Sequence, residues 1–183
     1  RPGPVFSGSF YGAVHQERAQ QFRRLSRAIG DGGLDIYTPQ PFATGPDDRI
    51  RFHAAVYGTD VIRVYARHGM VLDSRGDFNL GDGQRARDSS NMRIFEATRA
   101  GSLLLTENSP NLPRYFEPGI EVETYTGFDE LVDKIRHYTH PDHEAARRRI
   151  ADAGLARVRR SHLLEHRAAW LEDLLGRHLG TYA

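Results

Sequence analysis

Residues 102–106, Ser-Leu-Leu-Leu-Thr, form an apolar run of strand length with no polar alternation. A strand that is apolar on both sides has to be covered on both faces, the situation of a parallel strand between helix layers. The residues before it sharpen that reading. Asp88-Ser-Ser-Asn91 is a polar loop, and residues 92–100 carry apolar side chains at helical intervals (Met92 and Phe95, with Ile94 and Ala97 on the adjoining edge). Gly101 follows as the stop. Ser89, Ser90 or Asn91 supplies an N-cap oxygen. A helix opening from a polar loop beside a parallel sheet presents free N–H groups and a positive dipole end, a place for a phosphate.

The rest of the chain repeats this alternation. Residues 4–9, 34–37, 50–54, 70–73 and 120–125 read as further strands; residues 13–29, 59–68, 128–138, 144–158 and 163–179 read as helices, and 110–116 as a short helix or turn. Residues 38–48 and 74–88 are Gly-, Asp- and Pro- or Arg-rich loops. Strands alternating with helices predict an α/β fold: a Rossmann-like open parallel sheet with helices on both faces. Residues 1–160 are expected to form that domain. Residues 161–183 are expected to form a C-terminal helix, packed on it or directed towards a further domain. Ligands of such sheets bind beyond the carboxyl ends of the strands, where the strand order switches.

Composition removes several alternatives. Net charge is +1, so no global field favours nucleic acid or an anionic membrane. No apolar run approaches the roughly 20 residues of a membrane span. There are no cysteines, which excludes disulfides and thiolate metal sites and fits a reducing, cytoplasmic setting. Lys134 is the sole lysine, so positive charge is almost all guanidinium, suited to carboxylates and phosphates. Arg1 opens the chain close to a strand-like segment, and the expectation is a piece of a longer protein.

The motifs Asn91-Met-Arg-Ile-Phe-Glu-Ala97, Gly101 and Leu104-Leu-Thr-Glu107 resemble the C-terminal, nucleotide-sugar-binding domain of GT-B glycosyltransferases. Within them the chain is most similar to the group 1 branch that includes spore-maturation-type proteins. Ser7-Gly8-Ser9, Tyr57-Gly58, Phe128-Asp-Glu-Leu131, Ala151-Asp-Ala-Gly154, Ser161-His162 and Arg167 follow in the family's order, nearly end to end. The resemblance implies a sugar transferase using a nucleoside diphosphate sugar, UDP- or GDP-linked, with an unknown acceptor and a missing N-terminal domain. It implies no separate cofactor. Related retaining transferases carry two acids with seven residues between them, and Asp88 and Glu96 have this spacing. These are the implied catalytic pair, with Asp in place of the usual first Glu. Glu96 would accept from the ribose hydroxyls, Asp88 would lie near the sugar, and the amides around Asn91 and Met92 would hold the diphosphate.

Each of these residues has a plainer reading. Glu96 sits three residues from both Arg93 and Arg99, so an exposed salt-bridge ladder accounts for it. Arg93 either contacts phosphate or pairs with Glu96. Asp88 serves equally as a loop or cap residue. Gly8 and Ser9 either approach a ligand closely or make a tight turn. Arg18 is a diphosphate partner or a solvated helix arginine, and Tyr57 stacks on a base or is simply a surface or core tyrosine. His137, His140 and His143 have regular spacing, but Pro141 breaks the helix that would align them, so no metal is expected. No Ser-His-Asp order, Gly-x-Ser-x-Gly, P-loop or dinucleotide fingerprint occurs. A catalytically degenerate scaffold module of surface or spore-coat assembly is the second reading, and a sugar-nucleotide epimerase half a third.

Overall fold

The computed structural model describes residues 3–12, 15–74 and 91–179. Its elements in chain order are β1 (Val5–Ser7), α1 (Gln16–Ala28), β2 (Leu34–Tyr37), β3 (Ile50–His53), α2 (Thr59–His68), β4 (Met70–Asp73) and α3 (Arg93–Arg99). They continue with β5 (Leu103–Glu107), a 3-10 turn (Leu112–Arg114), β6 (Glu123–Tyr125), α4 (Phe128–Thr139), α5 (Glu144–Ser161) and α6 (Leu164–Leu179). All pairings are parallel, in the order β3-β2-β1-β4-β5-β6. The expected Rossmann-like α/β architecture is therefore present.

Alternation along each strand divides the core. Phe6, Ile36, Leu72 and Leu105 point to the face covered by α1 and α4, where they meet Phe22, Leu25, Leu131 and Ile135. Val5, Val71 and Leu104 point the other way, against Val64 and Tyr65 of α2, Ile94 and Phe95 of α3, and Val158 of α5. Burial on both faces is the physical reason that the run at 102–106 lacks alternation.

Three details depart from the sequence reading. The sixth strand begins at Glu123 rather than at residue 120, because Ile120 and Glu121 both donate backbone N–H to Glu117 O in a turn. Ile120 is accordingly exposed. Met92, expected on the apolar face of α3, is 61% exposed. In α6, Trp170, Leu171 and Leu175 are exposed and no residue is buried. The start of this tail is tied down: His162 Nε2 donates to Tyr115 O at 2.9 Å, and the Arg167 guanidinium lies 5.0 Å from the Phe95 ring. Gly154 has a structural explanation, since a Cβ there would come within 2.4 Å of Glu121 O. Only glycine lets α5 lie this close to the chain leading into β6. No helix among the described residues is long and apolar enough to cross a membrane.

Candidate functional site at the strand tips

β1 and β4 are neighbours, but β1 leads on to β2 at one side and β4 to β5 at the other. Their carboxyl ends therefore diverge and leave a crevice at the switch point. Three loops and two helix starts converge there: Ser7-Gly8-Ser9 after β1, Asp73-Ser74 after β4, Glu107 at the end of β5, and the first turns of α1 and α3.

Asp73 is the centre of this crevice. It is 1% exposed. Its Oδ1 accepts from Arg93 Nη1 at 2.5 Å and from Asn91 Nδ2 at 2.8 Å, and its Oδ2 accepts from Thr106 Oγ1 at 2.8 Å. Burial opposes ionisation of this carboxyl, but the charge of Arg93 and the bonds from Asn91 and Thr106 outweigh it and hold the group below the usual range. Arg93 continues the chain of contacts. Its Nη2 donates to Ser7 O at 2.7 Å, and its guanidinium stands 4.5 Å from the Phe6 ring centroid. Arg93 thus pairs with Asp73, not with Glu96.

Asn91 has two bonds. Its amide holds Asp73, and its Oδ1 accepts the Arg93 backbone N–H at 2.9 Å. The cap position itself is Met92, with no side-chain cap bond, so Asn91 secures the first turn from one residue further out. Gly8 fits between side chains: a Cβ would lie 2.8 Å from the Phe6 ring and 3.1 Å from Arg93 Nη2. Its backbone N–H donates to Tyr37 O at 3.0 Å, which ties the β1 loop to β2.

Arg18, in the first turns of α1, is 9% exposed and lies within electrostatic reach of Arg93, Asp73 and Glu107 at the same strand tips. Its Nη1 donates to Ser9 O at 3.1 Å, and its guanidinium is 5.3 Å from Phe6 and 5.9 Å from Phe10. Its buried Nε has no hydrogen-bond partner. Burial, then repulsion from Arg93, lowers its pKa to about 10, only partly opposed by Asp73 and Glu107. Such a group gains from any anion placed beside it.

Glu96 is half-buried one turn into α3. Among the described residues it forms no ion pair with Arg93 or Arg99, so the expected ladder is not built. Burial raises its carboxyl above the ordinary glutamate value, with Arg93 offsetting part of the effect. Tyr57, 73% exposed, follows β3 just before Gly58, whose φ of 56° turns the chain into α2. Asp88 lies outside the described residues.

Asp73, Thr106, Tyr65 and Tyr125 escaped the sequence reading. Tyr65 packs beside Arg93, and Tyr125 Oη donates to Asp73 O at 3.2 Å. Burial and the neighbouring Glu107 raise the Tyr125 hydroxyl well above the tyrosine value. One signal was present: an acid closing the apolar run Met70-Val-Leu-Asp73, at the end of the strand where ligands bind. The histidines do not converge on an ion. The His137 and His143 rings stack face to face at 3.7 Å, and among the described residues no His, Cys, Asp or Glu group has the arrangement of a metal site.

The glycosyl transferase-like family model matches residues 17–173. The chain belongs to this family, and the strand-tip crevice is formed by residues within and just ahead of the matched region. Its fold is that of the C-terminal domain of such transferases. It is similar to the C-terminal domain of a glycosyl transferase group 1 family protein (LpcC) from Francisella tularensis, with a TM-score of 0.57 at 11% identity over 89% of this chain and 88% of that one. A glycosyltransferase from Rickettsia africae gives a TM-score of 0.67 at 11% identity, covering 98% of this chain and 48% of that one, so the chain spans about half of that protein. A Listeria monocytogenes protein described as a UDP-N-acetylglucosamine 2-epimerase gives 0.55 at 14% identity, over 83% of this chain and 40% of that one. Likeness at these identities shows the fold alone, and it is the family match that assigns the chain to the glycosyl transferase-like family. No curated protein matches in sequence.

Proposed function

We propose that this domain holds the nucleoside diphosphate sugar donor of a glycosyltransferase, with the diphosphate at the β1/β4 switch. The observation that carries this is Arg18, a buried guanidinium with an unpartnered Nε that sits at the β1 tip with its Nη1 on the Ser9 carbonyl. A phosphate oxygen is the natural complement of that fork. Backbone amides of Ser9 and of Asn91-Met92 share the load, the Gly8 N–H being committed to Tyr37 O, and Arg93 keeps these two segments together through Ser7 O and Asp73. Glu96, half-buried without an ion pair, accepts from the ribose hydroxyls, since a carboxylate offers only acceptors. Tyr57 offers its exposed ring to the base, and the role towards the sugar is assigned to Asp88 from the sequence alone.

In transfer, the leaving diphosphate gains negative charge as the sugar–oxygen bond breaks. Arg18 and the loop amides stabilise that charge as fixed donors do at an oxyanion. The acceptor and its general base belong to a further N-terminal domain, so this chain alone binds nucleotide but transfers little sugar. Calorimetric titration with UDP, GDP and their sugars tests the reading. Saturable 1:1 binding of one base series is expected, and silence with all of them contradicts it. The scaffold alternative predicts the same binding with no turnover once the N-terminal domain is present.

A further inference from the structure

Asp73 and the two arginines allow one step beyond the donor-binding proposal, and it rests on that proposal. We infer that Asp73 sets the charge of the phosphate site. By holding Arg93 as a closed ion pair, it leaves Arg18 as the guanidinium that meets the diphosphate.

The geometry distinguishes the two arginines although both lie against the Phe6 ring. Arg93 has a carboxylate on Nη1, the Ser7 carbonyl on Nη2 and the hydroxyl of Tyr65 nearby. Its positive charge is cancelled by a carboxylate that is itself 1% exposed. Among the described residues, Arg18 has a neutral carbonyl on Nη1, nothing on Nε and no ion pair with a carboxylate. Burial and the neighbouring Arg93 lower its proton affinity, while Arg93, facing Asp73, is raised overall despite burial. Two guanidiniums at one crevice therefore have different duties. Arg93 is a positioning residue that joins β1, β4 and α3; Arg18 is the contact residue. A second uncompensated guanidinium would grip a diphosphate more tightly, which slows release of a product that must leave on every turnover. Asp73 keeps that grip moderate.

This makes an unusual prediction, because removing an acid from the site should improve binding. Asp73→Asn preserves the shape and can still satisfy Asn91 and Thr106, but it frees the charge of Arg93. The nucleoside diphosphate that the wild type binds should then bind roughly tenfold more tightly, the effect of one added charge a few ångströms from phosphate at an intermediate dielectric. The salt dependence should steepen, and affinity for the parent nucleoside should stay unchanged. The gain should vanish in the Asp73→Asn/Arg93→Gln double variant. In the otherwise wild-type chain, Arg93→Gln leaves the Asp73 carboxylate uncompensated and should weaken diphosphate binding by a comparable factor, so that only the charge-neutral double variant regains wild-type affinity, whereas Arg18→Gln should lower it by tenfold or more. Thermal unfolding run in parallel reports any general loss of structure. An ion pair of purely structural importance would lower stability in Asp73→Asn without selective tightening. Weaker or unchanged diphosphate binding by folded Asp73→Asn overturns the inference, as does a loss in the Asp73→Asn/Arg93→Gln double variant equal to that in Arg18→Gln. If Asp73→Asn does not fold alone, the comparison of Arg18→Gln with the charge-neutral double variant decides. A wild type that binds no nucleotide removes the donor reading and this inference together; nucleotide binding that Asp73→Asn does not tighten removes the inference alone.

Discussion

Two buried aspartates sit on this sheet, and each gathers an arginine and further donors, yet their surroundings differ. Asp35, within β2, accepts from Arg51 Nε and Nη2 at 2.9 and 2.6 Å and bonds His53 Nε2 at 2.7 Å. Its partners lie on β3, the edge strand, and the Arg51 side chain is 48% exposed. Asp73 sits at the tip of β4 beside the switch, and its Arg93 is only 15% exposed. The first cluster fastens an edge strand to its neighbour, and water does part of the solvation. The second is enclosed, joins three elements, and stands next to an arginine whose Nε lacks a partner. Similar ion pairs therefore have different roles according to whether the strand's middle or its carboxyl end holds them.

Removing the acids should separate the two most clearly. Asp73→Ala strands a buried guanidinium and should cost about 3–5 kcal/mol of stability; Asp35→Ala leaves partners that water can reach and should cost about 1–2 kcal/mol. Urea unfolding of both variants measures this, and equal losses would break the contrast. The pH dependence should follow the same order. In both carboxyls burial opposes ionisation, and the bonded partners outweigh it and depress the folded-state pKa. Their contribution is thus complete above the unfolded value, about 3.9, and disappears as pH falls through the lower folded value. Asp73→Asn should flatten the acid limb of the stability profile more than Asp35→Asn does.

Smaller effects concern binding. Glu96→Ala should weaken nucleotide binding by about 1–3 kcal/mol, the range of a hydrogen bond to a charged acceptor, while stability stays level or rises because a desolvated carboxyl is removed. An unchanged dissociation constant would leave Glu96 without a ligand role. Tyr57→Ala should cost about 1 kcal/mol in nucleotide affinity and nothing measurable in unfolding, since the ring is 73% exposed.

The fold was legible because its signals are local. Apolar runs without alternation announced buried parallel strands, and Gly101, with φ of 70°, closed α3 where a stop was expected. The site was legible in outline only. Helical spacing suggested Glu96 as the partner of Arg93, because neighbours along a helix are all that spacing can show. The actual partner, Asp73, is 20 residues earlier, on another element. Arg18 was recognisable as a candidate, but its burial depends on Phe6 and Phe10 closing around it, a tertiary event. Asp73 itself looked like the last residue of a strand. That view omitted its three donors, which come from Asn91, Arg93 and Thr106.

The location of the nucleotide is the central claim, and backbone amide chemical shifts during a titration with UDP and GDP test it most directly. The largest changes should fall at Gly8, Ser9, Arg18 and Asn91 to Glu96, with little change at Asp35, Arg51 and His53. Saturable shifts confined to the β2/β3 edge or to the amino ends of the strands would contradict the account.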